Sequence, residues 1–246
     1  MFKYPLIDCI LLVVDNYNFD IEDLLNLENF SGMVPLFPLP NVVFFPNSLL
    51  PLHVFESRYK QMISDIIDSE RIIGMVLLKP GWEKNYYEKP AIFNVACMGK
   101  IISTEVQEGG KSNIVLYGLK RVKIVEMVHD VPYRLARVNI LENVHGANED
   151  LYQKRIVELV SKWNSILGKD QKSHRIKIDK NLSLENLTDA LAPLIVSNVL
   201  QRQKFLEEIN VLKRAEKIQE NLETKLEIAS ITSKKKDAIL EKRHLN

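Results

Sequence analysis

Across residues 34–78 the chain sets Pro38, Pro40, Pro46 and Pro51 among short apolar runs, then turns charged and helical from Phe55 onward. Proline donates no main-chain hydrogen bond and fixes its own φ, so within a sheet it is confined to edges, strand starts and bulges. One long central strand or one long helix is therefore incompatible with this spacing. It predicts short strands or edges that turn sharply and lead into a helix. Phe55, Tyr59, Met62, Ile63 and Ile66 recur at helical intervals and give residues 55–67 one apolar stripe.

Up to residue 142 the pattern stays mainly β. Residues 72–78 form an apolar run interrupted only by Gly74, as in a buried strand, and Pro80-Gly81 marks a turn after it. Residues 91–104 read as a strand with a bend or bulge near Gly99, where a missing side chain permits it. Gly109-Gly110 separates that run from residues 113–117, a hairpin signature. Residues 121–128 and 133–141 add two further alternating stretches. Many strands with one early helix imply a curled, barrel-like sheet.

Past residue 142 the periodicity becomes helical. His145-Gly146-Ala147-Asn148 reads as a linker, and Ile156, Leu159, Val160, Trp163 and Leu167 share one face of a helix over residues 149–167. Gly168 suits a left-handed cap at its end, and residues 169–180 read as an exposed basic loop. Asn181 or Ser183 can cap the next helix, in which Pro193 is expected to force a kink or a split. Residues 201–236 contain neither Pro nor Gly. Val211, Ala215, Ile218, Leu222, Leu226 and Ala229 recur every three or four residues there, close to a coiled-coil seam.

The amino-terminal stretch is acidic, and its apolar run at residues 10–14 is far shorter than the roughly 20 residues that span a bilayer. It lacks the basic front and small-residue cleavage site of a secretory leader. A formal net charge of +1 gives no bulk attraction to nucleic acid or to an acidic membrane. Cys9 and Cys97 are far apart and isolated, as free thiols of a reducing cytosol would be. A cytoplasmic protein with no membrane segment is the expectation.

Specific motifs go further. Pro35-Leu36-Phe37-Pro38-Leu39, a proline turn at Pro46, Leu50-Pro51-Leu52-His53-Val54-Phe55-Glu56 and Arg58-Tyr59 follow one another in an order that resembles the opening of the amino-terminal domain of the Lon protease family. Glu108-Gly109-Gly110, then Gly118 and Arg121 to Ile124, Pro132-Tyr133, and Gln203-Lys204-Phe205-Leu206-Glu207 with Arg214 extend the resemblance to about residue 226. Asn47 departs from the family's usual Gly after Pro46, but Asn tolerates a positive φ better than other side chains do.

The resemblance implies an α+β chain: a curled PUA-like β pseudo-barrel followed by an α-helical bundle with a long last helix. The expected division is a weakly ordered extension over residues 1–32, a Lon-type β domain over 33–145 and a helical subdomain over 146–246. The resemblance also implies a stand-alone form without the ATPase and protease parts. Gly110-Lys111-Ser112 mimics the end of a phosphate loop, but Glu105 stands where its first glycine belongs, between two strands. The histidines are scattered and the cysteines solitary, so neither a metal cluster nor a nucleophile–base pair is legible. No enzyme activity and no cofactor are expected.

Recognition of unfolded or exposed protein segments, as an adaptor for a separate protease or chaperone, is the function that follows from the resemblance. Phe44, Phe45, Leu49, Leu50 and Leu52, with Phe55, supply an apolar set that suits such a patch if exposed; the competing reading puts them all in the core. The free edges of the proline segment also suit an added peptide strand. His53, Glu56, Arg58, Tyr59 and Arg121 support the motif, with Glu56 and Arg58 suited to an ion pair. The alternative is a PUA-like RNA-binding protein, for which Lys111, Lys120, Arg121, Lys123, Arg134 and Arg137 would form a basic strip. The last helix is a candidate for self-pairing into a homo-oligomer.

Overall fold

The structure is a computed structural model that describes residues 26–28, 30–85, 88–128, 131–167, 175–179 and 181–244, with side chains up to residue 231. The readings of residues 1–25, of Gly168 and of most of the 169–180 loop lie outside the described residues. Strands β1 (Met33–Leu39), β2 (Leu49–Val54), β3 (Ile72–Leu77), β4 (Val95–Val106), β5 (Ser112–Val128) and β6 (Arg134–Ile140) form one sheet in the order β2-β5-β4-β3-β1-β6. Helices are α1 (Ser57–Ile66), α2 (Glu149–Ile166), α3 (Leu184–Ile195), α4 (Val199–Glu207) and α5 (Val211–His244).

β5 closes the sheet. Its residues from Ser112 to Tyr117 pair with β2, and its later residues from Val122 to Val128 pair with β6. β5, β4, β3, β1 and β6 therefore run into a ring, an irregular pseudo-barrel with β2 attached to one half of β5. The prolines fit because each meets the ladder on one side. In β1, Pro35 lies opposite Leu135 of β6 and Pro38 opposite Val76 of β3, the two halves of the strand having different partners. Gly99 marks the expected irregularity: the β4–β5 register shifts between Met98 and Gly99, and the Phe44 ring fills the space a Cβ would need.

Two compact units share the chain, one formed by residues up to 143 with Ser197–Ile209, the other by Val144–Val196 with residues from 210 on. The core of the sheet unit gathers Val34, Leu36, Ile72, Met98, Val122 and Val138 from five strands. α1 buries Tyr59, Met62, Ile63 and Ile66, as its stripe predicts. α4 belongs to this unit: Phe205 meets Phe45 edge-on at 6.0 Å, and the Gln203 amide donates to the Val95 carbonyl at 3.0 Å.

In the helical unit, Ser183 caps α3 by accepting from the Asn186 N–H. α3 runs through Pro193 to Ile195 without splitting, because the hydrogen bond that proline removes falls in the final turn. Residues 201–236 are not one helix. A break after α4 lets Asn210 bridge to Val144, and the Asn210 side chain then caps α5 by accepting from the Lys213 N–H at 3.0 Å. Val211, Ala215, Ile218 and Leu222 are fully buried within the unit, so the front of the supposed coiled-coil seam is core. Leu226 and Ala229, further along, are half-buried.

Candidate functional site

The apolar patch read from the proline segment is not a surface. Phe44, Phe45 and Leu49 are 3%, 1% and 7% exposed, which corrects their assignment to a peptide-binding patch. Phe44 is held against Gly99 and Phe45 against Phe205. Side chains this large gain more from burial than a marginally stable fold can forgo. Leu50 and Leu52 are half-buried, while Phe55, just past β2, is 58% exposed.

The motif residues divide between support and surface. Glu56 and Arg58 pair at 2.9 Å, and the Arg58 guanidinium lies over the Tyr59 ring at 4.7 Å. Tyr59 is buried and stacks on Phe37 at 4.1 Å, which fastens the start of α1 to β1. Arg121 is buried and donates through Nε to the Leu206 carbonyl at 3.0 Å, so it holds α4 and takes no part in a basic strip. The rest of that strip is also partly engaged: Arg137 lies 3.6 Å from Glu126, Lys120 3.9 Å from Glu142, and Arg134 donates to the Pro90 carbonyl.

His53 belongs to a polar row across three strands. Asn113 donates to the Glu105 carboxylate at 3.0 Å and faces His53 Nδ1 with its own carbonyl oxygen at 2.8 Å. A carboxylate only accepts, which fixes the Asn113 amide and requires the His53 proton on Nδ1. The ring then stacks with Phe55 at 5.9 Å.

A groove of about 530 Å³ lies in the sheet unit between α1 and the β4–β5 hairpin. Ser57, Gln61 and Ser64 of α1 form one wall, Thr104 and Val106 of β4 the other, and Ile63 and Ile67 give it an apolar base. Lys60 Nζ donates to the Gly109 carbonyl at 2.8 Å and ties α1 to the hairpin tip. Gly109 and Gly110 both have positive φ, which accounts for the glycine pair in that turn. None of the wall residues was singled out by sequence. The one signal that pointed here was the hairpin signature itself.

What shapes the groove is a mismatch of strand lengths. β3 pairs with β4 only from Ile72 opposite Lys100 to Met75 opposite Cys97, and its last main-chain link is Ile101 N–H to the Arg71 carbonyl at 2.8 Å. β4 continues to Val106, where only β5 flanks it among the described residues. Val106 is 75% exposed. Among the described residues there is no group of three or more His, Cys, Asp or Glu placed to hold a metal ion, and no helix is long and apolar enough to cross a membrane.

Comparison with known proteins places these features in context. Residues 33–224 match the sequence pattern described as the ATP-dependent protease La (LON) substrate-binding domain. The Lon protease of Cytophaga hutchinsonii is 26% identical over 198 residues, covering 76% of this chain and 24% of its own. That of Anaeromyxobacter dehalogenans is 25% identical over 225 residues, covering 88% and 26%. The chain thus spans about a quarter of the length of these relatives. Among solved structures, the Lon N-terminal domain protein from Xanthomonas campestris superposes with a TM-score of 0.54 at 20% identity, over 76% of this chain and 96% of that one. The N-terminal domain of Mycobacterium avium complex Lon protease gives 0.58 at 14% identity, over 78% and 98%.

Proposed function

Because the chain belongs to the family of Lon substrate-binding domains, matched over residues 33–224, we propose that it is a non-enzymatic module that recognises exposed segments of unfolded proteins. The observation that carries this reading is the groove between α1 and the hairpin, whose apolar base of Ile63 and Ile67 lies beside hydroxyl and amide walls. Such a lining suits sequence-tolerant capture of a chain that presents both apolar side chains and main chain. In the cell the module acts as an adaptor in protein quality control, passing bound clients to a separate protease or chaperone.

Binding of a permanently unfolded, reduced and carboxymethylated protein, compared with the same protein folded, tests the reading. The unfolded form binds, the folded form does not, and raising salt changes the affinity little because the contact is apolar. Ile67→Glu, which puts a charge in the groove, weakens binding by at least about tenfold, the cost of desolvating an unpaired carboxylate. Equal binding of both forms, or RNA binding that falls steeply with salt while unfolded protein is ignored, overturns it.

A further inference from the structure

Resting on that reading, we propose that the outer edge of β4 beyond the end of β3 receives an extended segment of the client as an added antiparallel or parallel strand. The direction of the main-chain groups follows from the ladder. Gln107 N–H donates to the Lys111 carbonyl at 2.7 Å, so residues 107 and 111 form a hydrogen-bonded pair. The register then runs Val106 opposite Ser112, Glu105 opposite Asn113, Thr104 opposite Ile114 and Ser103 opposite Val115. In an antiparallel pair, hydrogen-bonded and non-hydrogen-bonded positions alternate. Ser103 and Glu105 therefore bond to β5, and the N–H and C=O groups of Thr104 and Val106 point away from it, along the same side that β3 occupies further up the strand.

The other free edge of this three-stranded region behaves oppositely. Gly118 N–H donates to the Ser48 carbonyl at 2.9 Å, so Ser48, Leu50, Leu52 and Val54 face β5 by the same alternation. Leu49, Pro51 and His53 are left facing outward, and Pro51 has no N–H to offer. A proline at the middle outward position is a standard guard against strand addition. β4 has no such guard at Thr104 or Val106, and its edge adjoins the groove walled by their side chains. Arriving from α1, the chain enters β3 only after Arg71, whose φ is 57°, so the row beside β4 is empty of β3 past that point. An incoming strand takes up the row that β3 leaves.

The chemistry of the occupant follows. It is extended, because only an extended chain matches the spacing of two outward residues on one strand. Alternate side chains fall on the α1 side over Ile63 and Ile67, so that set is apolar, while the other set is unrestricted. Proline is excluded where the client's N–H meets the Thr104 or Val106 carbonyl. Unfolded chains rich in β-branched residues fit this description, whereas folded proteins hide both features.

Backbone methylation isolates the idea. The probe is a fluorescent peptide of about eight alternating Val and Thr residues, long enough for one strand, with two derivatives N-methylated at alternate amides in opposite registers. Side chains are identical in all three. One methylated register loses affinity by at least about tenfold and the other stays within about threefold, because only every second amide faces β4. Thr104→Pro weakens the unmethylated peptide to a similar degree. Equal affinity of both methylated registers to the parent peptide, with the carboxymethylated protein still bound, overturns strand addition and leaves the recognition reading intact. Failure of the parent peptide and of the carboxymethylated protein alike overturns both. Should Thr104→Pro fail to fold by circular dichroism, the methylated peptides decide the matter on the unaltered protein.

Discussion

In the helical unit Arg214 meets Asp189 at 3.7 Å with both side chains fully buried, and Arg214 Nε also donates to Thr188 Oγ1. In the sheet unit Arg121 is buried as deeply, but its Nε is received by a main-chain carbonyl, that of Leu206. The helical unit compensates a buried charge with an opposite charge. The sheet unit uses Arg121 to hold the end of α4, and beyond β3 only β5 flanks β4 among the described residues. The helical unit sets a carboxylate beside its buried arginine, whereas the last residues of β4 in the sheet unit are flanked by β5 alone among the described residues, which is where strand addition is proposed.

The strongest way to break this contrast is to remove a buried partner. Asp189→Ala removes the carboxylate beside the buried Arg214 and lowers stability by about 3–5 kcal/mol, read from urea unfolding, with peptide affinity of the remaining folded protein unchanged. A loss of affinity would show that the helical unit takes part in recognition. Phe45→Ala empties the site beside Phe205 and costs about 3–5 kcal/mol. If it instead left stability untouched and abolished binding, the phenylalanine would be a surface anchor after all.

Smaller effects sharpen the picture within the sheet unit. Asn47 holds a φ of 56°, and its side chain accepts from the Tyr117 hydroxyl at 3.0 Å. Asn47→Ala costs about 1–2 kcal/mol, since alanine is strained in the left-handed region, and Asn47→Gly recovers most of it. A pH dependence, confined to alkaline solution, comes last. Burial and the hydrogen bond to Asp65 push the Tyr133 hydroxyl up to about 12 from its ordinary 10.0. The folded state thus keeps a proton that the unfolded state releases near pH 10. Its contribution to stability is complete below pH 10 and disappears as pH rises toward 12. Tyr133→Phe abolishes that alkaline slope in thermal unfolding measured over the same range.

Local chemistry made much of this legible. The helical stripe from Tyr59 to Ile66, the irregularity at Gly99, the Gly109-Gly110 turn and the positive φ at Asn47 all follow from what one residue type permits at one place. What stayed hidden depends on neighbours distant in sequence. An apolar run such as Phe44-Phe45 reads the same whether it faces solvent or Phe205. Arg121 looks like a surface cation until α4 covers it. The groove escaped notice because it arises from β3 ending before β4 does, and relative strand length is a property of the sheet, not of either strand.

α4 carries a further consequence, for the order in which the protein is made. The strands of the sheet unit are complete by Ile140, yet the Arg121–Leu206 bond spans 85 residues and the Gln203–Val95 bond spans 108. On the ribosome, the sheet emerges with Phe45 and Arg121 uncovered while α2 and α3 are still being synthesised. A chain elongating at about 5–20 residues per second leaves that surface open for several seconds. During that interval a nascent module of this kind presents the sort of exposed segment that the proposed function would have it bind.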